Sequence, residues 1–266
     1  MSVLPYGIPQ GWMFVPAREK FVKNIGRFNS ADVLIFDLED SLKEEEKDEG
    51  IRLVKSLDSL LKADGQKFFA RLNKDRLKKE LSVLCDSCLD GYMFPKFEGT
   101  GELDEFNELI QNKTVAALIE TPAGVAGIEK FAGDERISAF VFGAEDFCAC
   151  LNVETNPSAC SYARGRIVLY SALYKKTSVD MMSKEFKDED SFREELILSL
   201  KTGFNGKLLI HPMQLKCVDE IKQSIPKEEI RSIIEKYESD PKGAVRIDGK
   251  LYEGMHIERL KKILEG

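Results

Sequence analysis

Short apolar runs rich in β-branched and aromatic residues recur along this chain, and stretches with a helical period separate them. The runs are WMFVP (12–16), VLIFDLE (33–39), KFFARLN (67–73), GYMFPK (91–96), VAALIET (115–121), AFVFGAED (139–146) and KLLIHP (207–212). Continuous apolar runs of this length are the pattern of strands covered on both faces, as in parallel sheets. Helical patterns lie between them in EEEKDEGIRLVKSLDSLLKA, DRLKKELSVLCDSCL, ELDEFNELIQN, SACSYARGRIVLYSALYKK and SFREELILSLKTG. One further strand is needed between 175 and 185, and TSVDMMS is the candidate. Alternating strand and helix predicts parallel βαβ units. Eight units in about 210 residues predict an α/β protein built as a (β/α)8 TIM barrel. A doubly wound sheet would carry a glycine-rich turn after its first strand. Here Val15-Pro16-Ala17-Arg18 follows, and there is neither GxGxxG nor a P-loop. Gly99-Thr-Gly101 lacks the Lys-Ser/Thr of a P-loop and reads as a turn. The expected division is a barrel over 1–212 and a C-terminal helical extension over 213–266, which contains GAVRIDGKLYEG and HIERLKKILEG.

A chain of 266 residues suits one such barrel. Its net charge of -7, with acidic and basic residues mixed, offers no basic stripe for nucleic acid. No apolar run approaches the ~20 residues that span a bilayer. The opening MSVLPYGIPQGWMF has no basic segment followed by an apolar one, so no secretory leader is expected and a cytoplasmic protein is. The six cysteines do not read as a disulfide framework. Cys85-Asp-Ser-Cys88 has the spacing of a redox or zinc pair, but it ends a helical pattern and lacks a second pair or a nearby His. Reduced core cysteines are expected.

In a barrel of this kind, side chains at the C-terminal strand ends converge on one mouth. Those ends supply Glu39 and Asp40, Arg71 and Asn73, Lys96, Glu120, Asp146 and His211. Any one of them alone reads equally as a helix cap or a salt bridge. A charged group after so many successive strands weakens that reading for the set and points to a shared site. Glu120 and Asp146, on neighbouring strands, suit Mg2+, which takes hard oxygen ligands and keeps several waters. Zinc would want His and Cys, and the mouth offers only His211. Arg71 adds a permanent cation with a planar fork for a carboxylate or enolate oxygen. His211 reads equally as a backbone-bonded residue, and Glu44-Glu45-Glu46 as the acidic start of a helix.

The run MFVPA…ADVLIFDLEDSL…ARLN…YMFPKFE…ALIETPAGV…VFGAEDF…GFNGKLLIHPMQ…GAVRIDGKL resembles the citrate lyase β-subunit branch of the HpcH/HpaI aldolase superfamily, over residues 12 to about 260. The resemblance implies a Mg2+-dependent carbon–carbon lyase that forms trimers or hexamers. It implies retro-Claisen cleavage, or the reverse condensation, of a β-hydroxyacyl thioester such as citryl-, malyl- or citramalyl-CoA, or its acyl-carrier-protein equivalent. The products are an α-keto acid and an acyl thioester. Carried over by motif, Glu120 and Asp146 hold the metal, Arg71 is the catalytic arginine and Lys96 belongs to the substrate pocket. Glu39 and Asp40 orient Arg71 and the metal's waters, while Asp37 is structural. The family also uses a carboxylate in a C-terminal Gly-x-Met-Ile-Asp-x-Pro, which reaches a neighbouring subunit as acid or base. Here Gly249-Lys-Leu-Tyr-Glu253-Gly-Met stands there, with Glu253 for Asp, no Pro, and Asp248 in another register. Two alternatives stay open: an aldolase on a free 4-hydroxy-2-keto acid giving pyruvate and an aldehyde, and a non-catalytic subunit of a lyase complex.

Overall fold

The structure is a computed structural model, and it describes residues 7–239 and 243–265. Eight parallel strands close into a barrel in sequence order. They are β1 (Gln10–Pro16), β2 (Val33–Asp37), β3 (Lys67–Arg71), β4 (Gly91–Phe94), β5 (Thr114–Ile119), β6 (Ile137–Phe142), β7 (Thr177–Asp180) and β8 (Gly206–Leu209). The seam joins β1 to β8, with Trp12 opposite Leu208. TSVDMMS therefore contributes β7, in its first half.

Every second residue of each strand faces the axis. Trp12, Val33, Ile35, Phe69, Met93, Ala116, Leu118, Ala139, Val141, Val179 and Leu208 fill the interior as one apolar cluster. Large rings at Trp12 and Phe69 pack at 5.6 Å, and small residues at Ala116 and Ala139 make room across the layer. Gly91 belongs to this packing. A Cβ there would meet the Phe69 ring and the Thr114 carbonyl at 2.4 Å each.

Local chemistry shortens several of the expected elements. The helical pattern over 44–63 is a 3-10 turn (Glu44–Glu46), a helix (Lys47–Lys55) and a second turn (Ser59–Leu61). It breaks at Ser56, whose hydroxyl bonds back to the Leu53 carbonyl at 2.8 Å. The pattern over 102–112 splits at Phe106 into Gly101–Glu105 and Asn107–Ile110. The run AFVFGAED is not one strand: β6 stops at Phe142, and Ala144–Cys150 is a helix. Gly-Ala-Glu-Asp holds no β-branched residue to extend the pleat.

The chain divides into two compact units, with Gln10–Val218 as the barrel unit. The division falls inside the helix Pro212–Gln223 rather than at 212. In the smaller unit, the helices Lys227–Glu238 and Gly254–Glu265 and a hairpin of β9 (Ala244–Ile247) and β10 (Lys250–Glu253) enclose an isoleucine-rich core. The hairpin turns at Asp248-Gly249, both with positive φ (47° and 79°), the two-residue turn this dipeptide favours. Asp248 is thus a turn residue. Among the described residues, no helix is long and apolar enough to cross a membrane.

Candidate active site at the barrel mouth

Strand parity builds the mouth. Ile35, Phe69 and Leu118 face the barrel interior, so the residues two positions on, Asp37, Arg71 and Glu120, face it one layer higher. Asp37 and Arg71 are register partners across β2 and β3. Their side chains form a fork: Arg71 Nε donates to Asp37 Oδ1 and Nη2 to Oδ2, both at 2.8 Å. Asp37 also accepts the backbone N–H groups of Glu39 and Ser41. On the other edge of the guanidinium, Nη1 lies 3.2 Å from Glu39 Oε2 and 2.9 Å from Asp40 Oδ2. Phe14 covers its face, 4.9 Å from the ring centre. Burial alone would lower the Arg71 pKa, but the charge and hydrogen bonds of Asp37 outweigh it and the value is raised.

The segment Glu120-Thr121-Pro122 is a strand-to-helix junction. Glu120 follows β5, and Thr121 caps the helix Pro122–Phe131 by accepting from the Gly124 N–H at 3.0 Å. Both sides of Glu120 are thereby fixed, and its buried carboxylate accepts the Lys96 N–H at 2.8 Å. Lys96 aims that N–H from a left-handed conformation, φ 47°. Gly143 opens the space beside it, since a Cβ there would stand 2.6 Å from Glu120 Oε2. Asp146 lies in the first turn of the helix Ala144–Cys150, not at a strand end, and Lys96 Nζ is 3.6 Å from its Oδ2.

These groups border a cavity of about 70 Å³ lined by Phe14, Asp40, Arg71, Leu118, Glu120 and Asp146, with Met182 and Leu208 among the rest. Burial is the main cause that pushes the carboxyls of Glu39 and Glu120 up to about 7; mutual repulsion adds to it, against the pull of Arg71. An oxygen-only donor set beside solvent suits a hard divalent ion. The residues present therefore fit Mg2+.

Of the expected strand-end residues, Glu39, Asn73, Lys96 and His211 are outside the cavity lining, and Asn73 and His211 also lie apart from the Arg71 and Glu120 contacts. Asn73 is buried and bonds to the Leu38 carbonyl and to Glu80, tying the loop after β2 to the helix Leu77–Leu84. His211 is exposed, accepts the Met213 N–H at 3.2 Å and lies against Phe186. Glu253 ends β10 in the smaller unit with its side chain exposed. All six cysteines are free thiols, and Cys85 and Cys88 are half-buried.

Residues 10–212 match the family model described as HpcH/HpaI aldolase/citrate lyase. The chain belongs to this family. The match spans every residue of the mouth and ends before Glu253. Among the aldolase/citrate lyase relatives is the (3S)-malyl-CoA thioesterase of Cereibacter sphaeroides, 28% identical over 264 residues that cover 95% of this chain and 92% of the relative. The citrate lyase subunit beta of Leuconostoc mesenteroides is 24% identical, over 95% and 91%. The mitochondrial citramalyl-CoA lyase of Rattus norvegicus is 24% identical, over 95% and 84%. A crystal structure of CitE from Mycobacterium tuberculosis, in complex with magnesium, acetoacetate and coenzyme A, has the same fold. It superposes with a TM-score of 0.78 at 22% identity over 98% of both chains.

Asp37, expected as a structural residue, makes the paired contact to Arg71, while Glu39 and Asp40 reach only the Nη1 edge. The signal was present in the period of two along β2.

Proposed function

We propose that this protein is a Mg2+-dependent carbon–carbon lyase that cleaves a β-hydroxyacyl-CoA ester to an α-keto acid and an acyl-CoA. The observation that carries the reading is a largely buried Arg71 held by three carboxylates and facing the same small cavity as Glu120 and Asp146. A bound Mg2+, held by Glu120 and Asp146, supplies Lewis-acid polarisation of the hydroxyl and carboxylate oxygens of the substrate. In the cleavage, the hydroxyl gives up its proton to a mouth carboxylate. The bond between the carbinol carbon and the thioester α-carbon breaks, and its electron pair passes into the thioester enolate. The enolate carbon then takes a proton.

Arg71 offsets the charge that develops on the enolate oxygen. Its Nε and Nη2 are held by Asp37, so Nη1 is the edge offered to substrate. Asp40, 77% exposed, is the partner there that a substrate oxygen displaces most easily. Lys96 adds a second cation for the substrate carboxylate. Glu253 delivers the proton to the enolate carbon from a neighbouring subunit of a homotrimer or hexamer. Its stem is one methylene longer than the family's Asp.

The test offers (3S)-malyl-, citramalyl- and citryl-CoA with and without Mg2+, and measures keto acid and free thiol separately. Keto acid without free thiol, abolished by chelation, is the expected result. Free thiol without keto acid would make the protein a thioesterase, the activity named for the Cereibacter relatives. Turnover of a free 4-hydroxy-2-keto acid alone would make it an aldolase. No turnover on any substrate, with Mg2+ binding intact, would leave a non-catalytic subunit.

A further inference from the structure

A second, larger cavity of about 580 Å³ opens beside the mouth, between the loops that follow β6 and β7. Its floor is a buried charge cluster on the outer face of the barrel wall. Asp180 and Lys207 are register partners across β7 and β8. Their neighbours Val179 and Leu208 face the barrel interior, so these two face outward, toward the helices. Arg164, from the helix Pro157–Tyr174, grips Asp180 with two bonds, Nε to Oδ1 at 3.1 Å and Nη2 to Oδ2 at 2.7 Å. Ser199, from the helix Glu189–Thr202, donates to the same carboxylate.

Asp180 is thereby saturated, and Lys207 is not. Its ammonium lies 3.6 Å from Asp180 Oδ2 and 3.9 Å from Glu195 Oε2, both longer than hydrogen bonds, although Lys207 is only 1% exposed. An ammonium has three donors, and leaving them short of partners at full burial is costly. Arg164 and Lys207 together face one fully buried carboxylate, since Glu195 sits at the rim with 39% of its side chain exposed. Within the buried floor two cations meet one carboxylate, while Glu195, Glu154 and the Lys184–Glu145 pair complete the lining. The walls are mixed: Met181, Met182, Val153 and Leu198 form an apolar part, the last two each 45% exposed, and Glu145, Glu154, Thr155, Asn156, Ser183 and Lys184 form the polar remainder.

We propose that this cavity is a binding site for an organic monocarboxylate with an apolar body, its carboxylate seated on Lys207 and Arg164 and its chain against Val153, Met181, Met182 and Leu198. The volume is in the range of sites that enclose small ligands, and four apolar side chains stand near the Lys207 ammonium on that lining. Burial pulls the Lys207 pKa down, against Asp180 and Glu195. A carboxylate on the ammonium reverses that penalty, so the ligand completes a charge the fold pairs only at 3.6 and 3.9 Å. None of these residues belongs to the proposed catalytic set, and the inference stands whether or not the lyase reading holds.

The probe is octanoate, with octanamide as its uncharged counterpart, titrated calorimetrically into the chelator-treated full chain so that no metal at the mouth recruits the acid. Octanoate binds and octanamide binds at least about tenfold more weakly, the value of one charge-assisted contact. Lys207→Met removes the ammonium at similar length and lowers octanoate affinity by about tenfold or more. Leu198→Glu, at a half-exposed helix position that tolerates charge, lowers it as well, whereas Leu198→Lys does not. Glu120→Gln leaves octanoate binding unchanged. The proposal is overturned if octanoate fails to bind up to about 10 mM, if octanamide binds equally, or if Glu120→Gln abolishes binding. Should Lys207→Met not fold, equal octanoate affinity in Leu198→Glu and Leu198→Lys overturns it alone.

Discussion

Replacing Asp37 by Asn tests whether Arg71 is positioned by its buried fork or merely sits near it. Asn keeps the shape and removes the charge. One amide oxygen can still accept from Arg71, but the amide nitrogen now faces a guanidinium N–H and the Ser41 N–H. Both partners are well buried, with side-chain exposures of 7% and 11%. Breaking a buried ion pair from one side destabilises by about 3–5 kcal/mol. Glu39 and Asp40 still hold Nη1, so the expected loss is smaller, about 2–3 kcal/mol, roughly one charge-assisted hydrogen bond. The functional effect is larger than that loss suggests. Freed at Nη2, the guanidinium turns toward Glu39 and Asp40, and a displacement of ~1 Å lowers turnover ~10²-fold. The assay is steady-state cleavage of the best CoA ester well below the melting temperature, with urea unfolding in parallel. We expect kcat to fall with little change in KM, because the contact matters most as charge develops on the enolate. A variant that loses stability yet keeps kcat within about twofold would show that the fork only braces the fold, and would refute the positioning role.

The mouth carboxyls make metal binding depend on pH. Glu39 and Glu120 titrate near 7 in the metal-free protein, chiefly through burial, against an ordinary 4.5. The folded state thus holds more protons than the unfolded chain between those values, and metal-free stability falls as pH rises through that window. Mg2+ should therefore raise the melting temperature little near pH 5 and fully near pH 8, releasing protons as it binds; a pH-independent rise in differential scanning fluorimetry would contradict this. Gly143→Ala places a methyl 2.6 Å from Glu120 Oε2, so Mg2+ affinity should drop about tenfold while the barrel stays folded by circular dichroism. Glu39→Gln should lower kcat while much of the Mg2+ affinity survives by calorimetry, since Glu39 contacts Arg71 and is outside the proposed metal pair. Co-expressed Arg71→Met and Glu253→Gln subunits should regain activity that neither has alone, if Glu253 serves a neighbour; no regain would remove Glu253 from the mechanism.

How far the sequence carried the reading follows from where each residue stands relative to the last paired strand position. The barrel was legible because its strands need apolar residues on both faces, and even the weak TSVDMMS run supplies Val179 to the interior and Asp180 to the outer wall. Within a strand, parity decides which side chain turns inward, and it carries Ile35, Phe69 and Leu118 forward to Asp37, Arg71 and Glu120 without further information. Applied to VLIFDLE, it would have singled out Asp37 from its neighbours.

Beyond the strand, parity stops and turn geometry takes over. Lys96 meets Glu120 through a left-handed backbone, and Asp146 meets Lys96 from the first turn of a helix that began unread inside GAED. Such placements depend on the few residues of each junction rather than on any period. The charge cluster of Arg164, Asp180 and Lys207 escaped for the opposite reason. Two of its members lie on the outward parity of short strands and the third on a helix whose apolar residues run around it, so a reading confined to strand ends passes over them. Parity therefore separates two classes of charged residue in this barrel: inward ones that gather at the mouth, and outward ones that require a partner from a helix. Lys207 is the outward residue whose partner the fold supplies only at ion-pair distance, which is why a ligand is the simplest completion of its site.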